Sequence, residues 1–302
     1  MQAASQTPFA SAPRLGQAAR PSVKTVLEVL ESTAKYFADR GVESPRLNID
    51  LLLAHVLGIK RRMDLYMVFD RPLNPKELDT LRDLVKRRSQ GVPLQHLLGT
   101  VEFYKREFAC DGRALVPRPE TELFVERLLK LPLPEDARCV DVGTGSGIIA
   151  LTLAAERPAF RVQGVDRSGN ALGLARDNAA RLGLTERVEL LQGDLLADLP
   201  GPFDLVAANL PYIPAGDITG LSREVQHDPM LALDGGRDGL EIIARCITQA
   251  HERLAPGGRL ALEIGHDQAP LVCEQLTAAG FTAVESVRDY QEVERFAFAV
   301  KA

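Results

Sequence analysis

The feature that most constrains the fold is a regular alternation of short apolar segments and longer amphipathic segments in the second half of the chain. The short segments have the composition of buried strands, and the longer ones carry apolar residues at helical spacing. Strands that alternate with helices in this way predict an α/β fold with a mainly parallel, doubly wound sheet. The predicted strands are residues 139–142, 161–165, 188–191, 203–208, 259–264, 282–287 and 295–300, the last two forming a hairpin, and the predicted helices are residues 148–155, 171–182, 240–254 and 268–279.

The segment before this region has a helical pattern throughout. Residues 22–90 carry apolar stripes at helical spacing, and Gly41 and Gly58 are placed as helix ends. Asn74, Pro75 and Glu77 combine an N-cap, a proline in the first helical position and an acid three residues after the cap. We therefore predict a bundle of three or four short helices, of the kind that serves as a partner-recognition or lid module.

A short connecting region separates the bundle from the α/β part. Residues 91–99 are punctuated by Gly and Pro and are predicted to be a linker. Residues 100–116 are interpreted as two strands around a turn, with Leu115 and Val116 in the second strand. A helix is predicted over residues 123–130.

Composition and charge exclude several classes of protein. The 302 residues carry a net charge of −5, so a broad nucleic-acid-binding surface is not expected. The four cysteines have no C-x-x-C spacing and the five histidines no H-x-x-x-H spacing, which indicates neither a disulfide framework nor a metal site. This cysteine usage is typical of a reducing compartment, and no apolar run is long enough to cross a membrane. We expect a cytoplasmic protein whose residues 1–21 form a disordered tail.

A glycine-rich loop joins the first predicted strand to its helix. It runs from Asp141 to Gly147, with Gly143 and Gly145 at alternate positions that allow sharp turns and close approach of a ligand. No Gly-Lys-Ser/Thr follows, which argues against a triphosphate site, and the third glycine comes one residue too early for a dinucleotide fingerprint. Taken alone, such a loop is as often a structural turn as a ligand site.

Two acidic residues at strand ends add weight to the loop. Asp166 ends the next strand, about 20 residues after the loop, where a carboxylate accepts hydrogen bonds from ribose hydroxyls. Asp194 follows the third strand and could accept from an adenine amino group, with Leu195 lining the ring. Either aspartate alone could be an ordinary cap residue. Together with the loop they predict an adenosyl ligand without pyrophosphate, which S-adenosyl-L-methionine fits, and the predicted cofactor residues are Asp141, Gly143, Thr144, Gly145, Ser146, Gly147, Asp166, Asp194 and Leu195.

The segment Asn209-Leu210-Pro211-Tyr212 ends the fourth predicted strand. Asn209 offers a side-chain carbonyl, and the Leu210 backbone carbonyl can point the same way because Pro211 restricts the local backbone. Tyr212 adds a flat aromatic face. Two acceptors beside an aromatic ring suit a planar NH2 group, either an amide or the exocyclic amine of a base, although a strand followed by a proline turn explains the four residues equally well.

These residues resemble the class I S-adenosyl-methionine-dependent methyltransferases, and more closely the HemK/PrmC family of glutamine methyltransferases that modify peptide-chain release factors. The most family-specific piece is Pro-Arg-Pro-Glu-Thr-Glu at residues 117–122. The other pieces are residues 93–96, 102–104, 115–116, 141–147, 209–213, 232–236, 238–240 and 262–265.

The resemblance implies a fold, a substrate and a site. The fold would be a Rossmann-like seven-stranded methyltransferase domain at residues 119–302, after a substrate-docking bundle at 22–90 and a linker with a β-hairpin at 91–118. The substrate would be the glutamine of the GGQ motif in class I release factors, bound by Asn209, Leu210, Pro211 and Tyr212, with Phe103 as a further wall or simply hairpin core. The resemblance also implies that Asn209 lines the cofactor, with Gly143, Gly145, Asp166 and Leu195. The cofactor would leave as S-adenosyl-L-homocysteine, and the chain is expected to act as a monomer without a metal and without direct nucleic-acid binding.

One departure from the family pattern keeps alternatives open. The family motif normally has proline at the second position, where this chain has Leu210. Leucine still supplies the backbone carbonyl, and the same tetrapeptide occurs in rRNA adenine dimethyltransferases. The alternatives are therefore methylation of a ribosomal-protein glutamine, methylation of an adenine amino group, and a binding module without catalysis.

Overall fold

The computed structural model describes residues 24–302, so the tail predicted for residues 1–21 lies outside the described residues. The chain divides between Asp83 and Leu84 into two compact units.

The first unit is helical. It contains α1 (Val26–Ala38), α2 (Pro45–Leu57), a 3-10 helix (Arg62–Val68) and the start of α3 (Pro75–Ser89). The Asn74 side chain accepts from the Glu77 backbone N–H, and the Glu77 carboxylate accepts from the Asn74 N–H, both at 2.9 Å. The capping pattern read from the sequence therefore starts this helix as predicted.

The second unit begins with short elements that differ in detail from the prediction. The linker contains a short helix α4 (Leu94–Leu98), and β1 (Thr100–Phe103) pairs antiparallel with β2 (Arg106–Ala109). The second strand does not reach Leu115 and Val116, because Ala109 already pairs with Thr100, the first residue of β1. Helix α5 (Pro119–Leu128) starts earlier than predicted, since a proline is well accommodated in the first turn.

The main sheet of the described chain has seven strands and a mainly parallel arrangement, as predicted. Its strand order is β5-β4-β3-β6-β7-β9-β8, in which only β9 pairs antiparallel with its neighbours, β7 and β8. The elements are β3 (Arg138–Val142), α6 (Ile148–Glu156), β4 (Arg161–Asp166), α7 (Gly169–Arg181), β5 (Val188–Gln192), β6 (Phe203–Asn209), α8 (Glu241–Arg253), β7 (Leu254–Glu263), α9 (Ala269–Ala278), β8 (Phe281–Arg288) and β9 (Glu294–Lys301).

Apolar clusters cover both faces of this sheet. Along β6, Val206 and Ala208 belong to one cluster, and Leu205 and Ala207 belong to the other, as expected when side chains alternate across a strand. Helices α8 and α9 pack on the first cluster, and α5 and α6 on the second. Burial on both faces explains why these strands are continuous apolar runs.

The strand order reverses at β3, and this reversal locates the site. From β3 the chain crosses over to β4 and then β5 on one side of β3, and β6 pairs with β3 on its other side. Strands β4, β3 and β6 run parallel. Ligands of open α/β sheets bind beyond the carboxyl ends of the strands at such a switch point. The chain segments that follow Val142, Asp166 and Asn209 therefore meet at one edge.

A buried asparagine links the hairpin to that edge. Asn178 on α7 is fully buried, accepts from the Ala109 N–H at 2.6 Å and donates to the carbonyls of Ala109 and Ser146 at 3.2 and 3.0 Å. It thus joins β2 and the glycine loop to one helix.

We predict that Asn178→Ala lowers the free energy of unfolding by about 3 kcal/mol, because the polar groups of Ala109 and Ser146 lose their partner. Urea unfolding followed by circular dichroism would measure the loss. The matched control is Asn170→Ala, on an exposed side chain of the same helix. Equal effects of the two substitutions would contradict this role for Asn178.

Candidate functional site

A cavity opens at the carboxyl ends of the central strands. Its wall is formed by the glycine loop, the ends of β4 and β6, and the segments that follow β5 and precede α5. It brings together most of the residues singled out in the sequence, namely Gly143, Thr144, Gly145, Ser146, Asp166, Asp194, Leu195, Asn209, Leu210 and Pro211.

The glycine loop is tied to the neighbouring strand by its backbone. The N–H groups of Gly143 and Thr144 both donate to the Val165 carbonyl, at 2.8 and 3.0 Å. Gly143 has φ of 73°, and a side-chain carbon there would lie 3.0 Å from Cδ2 of Leu210. The loop needs glycine at this position because of both the backbone conformation and the Leu210 side chain.

Asp166 stabilises the same loop from the end of β4. Its carboxylate accepts from the Gly145 N–H at 2.8 Å and from the Ser168 N–H at 2.7 Å. Burial raises the pKa of Asp166, while these backbone N–H groups lower it. The two oxygens keep further lone pairs that can accept from ligand hydroxyls.

Asp141 lies beneath the loop and outside the cavity lining. It is fully buried, and its Oδ2 accepts from Thr144 Oγ1 at 2.6 Å and from the Ala150 N–H at 3.1 Å. Its Oδ1 has no hydrogen-bond partner among residues 24–302. Burial raises the pKa of Asp141 to about 7.

Gly147 also lies outside the cavity lining. A side-chain carbon at Gly147 would be 2.9 Å from Leu151 Cδ1.

Asp194 has a partner that the sequence did not reveal. Its carboxylate forms an ion pair with Arg245 of α8 at 2.5 Å, and both side chains are about half exposed at the cavity wall. Leu195 is buried and packs in the core cluster on that side of the sheet. Ile242, also on α8, adds apolar surface to the same wall.

The end of β6 and the residues after it border the cavity through Asn209, Leu210 and Pro211, whereas Tyr212 lies outside the lining. The Asn209 side-chain nitrogen donates to Thr121 Oγ1 at 3.3 Å, which leaves the carbonyl oxygen as an acceptor. The Leu210 side chain is buried, and Pro211 lines the cavity. Tyr212 is half-buried against the core, and its backbone carbonyl accepts from Gln268 Nε2 at 3.0 Å.

Phe103 lies away from this group. Its side chain is 2% exposed and packs edge to face on Phe108, with ring centroids 6.1 Å apart. The ring belongs to the core under the hairpin. The structure therefore favours the packing interpretation of Phe103 over a wall for the glutamine.

Two ion pairs hold the loop that precedes α8. Arg118, in the family-specific run, contacts Asp228 at 2.8 Å, and Asp228 also accepts from the Val116 N–H at 3.1 Å. Arg88 contacts Glu224 at 2.7 Å. Pro229, Leu231 and Ala232 of this loop line the cavity, so these ion pairs fix one of its walls.

Two other kinds of site are absent from the described part of the chain. Residues 24–302 contain no cluster of three or more His, Cys, Asp or Glu side chains that could hold a metal ion. No helix in the same range is long and apolar enough to cross a membrane.

The fold is that of a class I methyltransferase. A solved methyltransferase from Pyrococcus furiosus matches with a TM-score of 0.52 at 17% sequence identity, covering 66% of this chain and 90% of that one. At this identity the likeness concerns the fold alone. Residues 133–296 also match a family model described as a methyltransferase domain.

Closer relatives narrow the class to one family. Residues 28–99 match the PrmC N-terminal domain. The release factor glutamine methyltransferase of Geobacter sulfurreducens is 41% identical over 278 residues, covering 91% of this chain and 96% of the relative. That of Deinococcus radiodurans is 43% identical over 263 residues, covering 87% and 93%. The chain belongs to the release factor glutamine methyltransferase family, which confirms the resemblance seen in the sequence.

The buried carboxyl group of Asp141 should make the stability of the fold depend on pH. Because the folded-state pKa of Asp141 is about 7, above the ordinary value of 3.8, the folded protein keeps a proton that the unfolded chain has lost between these values. The stability that Asp141 contributes is present below about pH 4 and is lost as pH rises toward 7. We expect urea unfolding midpoints to fall less between pH 5 and pH 8 in Asp141→Asn than in the wild type.

The control for this measurement is Asp198→Asn, a similar change on an exposed side chain. It should show the same decline as the wild type. If the unfolding midpoint of Asp141→Asn fell as much between pH 5 and pH 8 as that of the wild type, the carboxyl group of Asp141 would already be ionised at pH 5, contrary to this prediction.

Proposed function

We propose that this enzyme transfers a methyl group from S-adenosyl-L-methionine to the side-chain amide nitrogen (N5) of the glutamine in the GGQ motif of class I peptide-chain release factors. The observation that carries the proposal is the orientation of Asn209. Its nitrogen donates to Thr121 Oγ1, which leaves its carbonyl oxygen as an acceptor, and both Asn209 and Leu210 line the cavity. We infer that this oxygen and the Leu210 backbone carbonyl accept the two hydrogens of one NH2 group. Because the relatives are release factor glutamine methyltransferases, the NH2 group is assigned to a glutamine side chain.

The residues around the cavity fit an adenosyl cofactor. Asp166 offers lone pairs to ribose hydroxyls, and Leu195 and Ile242 offer apolar surface to a base. Residues 143–146 of the glycine loop also line the cavity, and their backbone would contact the cofactor when it is bound. Asp194, paired with Arg245, is assigned to the adenine amino group.

The protein contributes orientation and electrostatics to the reaction. S-adenosyl-L-methionine supplies an electrophilic methyl group when bound, and S-adenosyl-L-homocysteine is the product. An amide nitrogen is a weak nucleophile because its lone pair is delocalised into the carbonyl. When Asn209 and Leu210 accept both amide hydrogens, they fix the position of the nitrogen and stabilise the positive charge that develops on its N–H groups. As the nitrogen gains the methyl group, one of its two hydrogens leaves as a proton to water, during or after the transfer, so that the product is the neutral N-methyl amide.

The rest of the segment shapes the site for glutamine. Pro211 restricts the backbone of Leu210 to an extended conformation, which keeps the Leu210 carbonyl directed as the reaction requires. Tyr212 is assigned as a wall for the planar amide. Leu210 replaces the usual proline without loss of the acceptor, since the acceptor is a backbone atom.

The partner and compartment follow from this substrate. A release factor must present its GGQ loop to the cavity, and residues 22–90 are assigned to docking the rest of that protein. The reaction would take place in the cytoplasm and would need one copy of the chain, without a metal.

Mass spectrometry tests the proposal directly. The purified protein would be incubated with S-adenosyl-L-methionine and a full-length release factor, beside a copy whose GGQ glutamine is replaced by alanine. We expect one methyl group on that glutamine and none on the variant. Methylation of a ribosomal protein or of an adenine instead would overturn the proposal and make Leu210→Pro the first substitution to try.

Asn209→Ala should reduce methyl transfer at least about 100-fold, the usual effect of removing one preorganised hydrogen-bonding group from an active site. Binding of S-adenosyl-L-methionine, measured by calorimetry, should be partly retained, because Asn209 is only one of the predicted cofactor residues and those assigned to the ribose and the adenine lie elsewhere. Asn170→Ala is the control and should turn over as the wild type does. Near-normal turnover of Asn209→Ala would rule out this mechanism.

A further inference from the structure

We propose that Thr121 and Glu263 are positioning residues that fix the side-chain amide of Asn209 with its carbonyl oxygen toward the substrate. This inference rests on the proposed function, because it concerns the same reaction. Neither residue was assigned a role from the sequence.

The three side chains are brought together by three different elements. Asn209 ends β6, and Glu263 is its direct partner in the parallel register with β7. Thr121 lies in the first turn of α5, and its Oγ1 accepts from Asn209 Nδ2 at 3.3 Å. The side chains of Thr121 and Glu263 are both about 3% exposed, so solvent does not compete for their hydrogen bonds.

The hydrogen-bonding capacities of these groups permit one orientation of the amide. A threonine hydroxyl that accepts from Asn209 keeps its own hydrogen to donate, and the carboxylate of Glu263 is a buried acceptor nearby. Interactions with Thr121 and Asn209 both lower the pKa of Glu263, so both side chains favour its ionised form. A flipped Asn209 would turn its carbonyl oxygen toward a carboxylate, which is repulsive.

Glu263 has features that packing alone does not explain. Its Oε2 has no hydrogen-bond partner within the described part of the chain. Burying a carboxyl group with one unpaired oxygen lowers the stability of the fold, and an apolar side chain of similar size would fill the space at lower cost. A functional role for Glu263 accounts for its presence here. A carboxylate behind Asn209 also polarises the amide, which makes its carbonyl oxygen a stronger acceptor for the substrate.

The charge of Glu263 depends on pH in the range where the enzyme works. Burial raises its pKa to about 7, Thr121 and Asn209 lower it, Glu120 on α5 raises it, and Arg295 on β9 lowers it. Tyr212, on the segment after β6, also faces this group. Below about pH 7 the neutral acid can donate a hydrogen bond and no longer requires the nitrogen of Asn209 to face it. Turnover should therefore fall as pH falls through about 7.

The test compares Glu263→Gln with the wild type in the release factor methylation assay. Glutamine has nearly the same shape, but its NH2 group can face Asn209 and favour the flipped amide. We expect kcat to fall about 10- to 100-fold, the usual effect of removing a group that orients a functional side chain. KM for the release factor and the Kd of S-adenosyl-L-methionine should stay within about twofold, and the decline of kcat near pH 7 should disappear.

Two further comparisons separate positioning from folding. Glu285→Gln makes the same change on an exposed side chain of β8 and should leave kcat and its pH profile unchanged. Thr121→Val removes the hydroxyl with little change of shape and should lower kcat, whereas Thr121→Ser keeps the hydroxyl and should retain it. The serine and valine variants decide the question if Glu263→Gln does not fold.

The outcomes distinguish this inference from the proposed function. If the wild type does not methylate the release factor, the proposed function is wrong. If the wild type is active and Glu263→Gln keeps its kcat and pH profile, or Thr121→Val and Thr121→Ser have equal kcat, the positioning role is overturned. A selective loss of kcat in Glu263→Gln and Thr121→Val supports it.

Discussion

The parallel pairing of β3 with both β4 and β6 is the constraint on which the site depends. In this register Val142 pairs with Val165 on one side and with Ala208 on the other, so three strands end at nearly the same level. The Val165 carbonyl can then accept from the N–H groups of Gly143 and Thr144 in the glycine loop. The loop, Asp166 and Asn209 meet because their strands are aligned, although they are far apart in the chain.

The same edge of the sheet contains two carboxyl groups that are costly to bury. Asp141 lies under the glycine loop and Glu263 lies next to Asn209, and burial raises the pKa of each to about 7. Each has one oxygen without a hydrogen-bond partner in residues 24–302. Strained electrostatics of this kind concentrate at functional sites, where stability is given up for a fixed arrangement of polar groups. Asp141 holds the loop through Thr144 and the Ala150 N–H, whereas Glu263 acts on the side chain that faces the substrate.

The departure at Leu210 becomes understandable in the structure. The Leu210 side chain is buried, and its Cδ2 lies against the position where Gly143 has no side chain. Leucine therefore fills space between the reactive segment and the cofactor loop while its backbone carbonyl remains available. Contact with the loop can supply the rigidity that a proline at this position would give.

The sequence by itself determined the order and type of the main elements, the class of fold and the family, because strand and helix periodicity and short motifs are local properties. Helix caps such as Asn74 with Glu77 could also be predicted, since both partners lie within one turn. Only the tertiary structure decided that β2 ends at Ala109, that Asp194 pairs with Arg245, and that Phe103 is core. It also brought Thr121 and Glu263 to Asn209. These contacts join residues from different elements, and their positions depend on strand register and helix packing, which no local pattern in the sequence specifies.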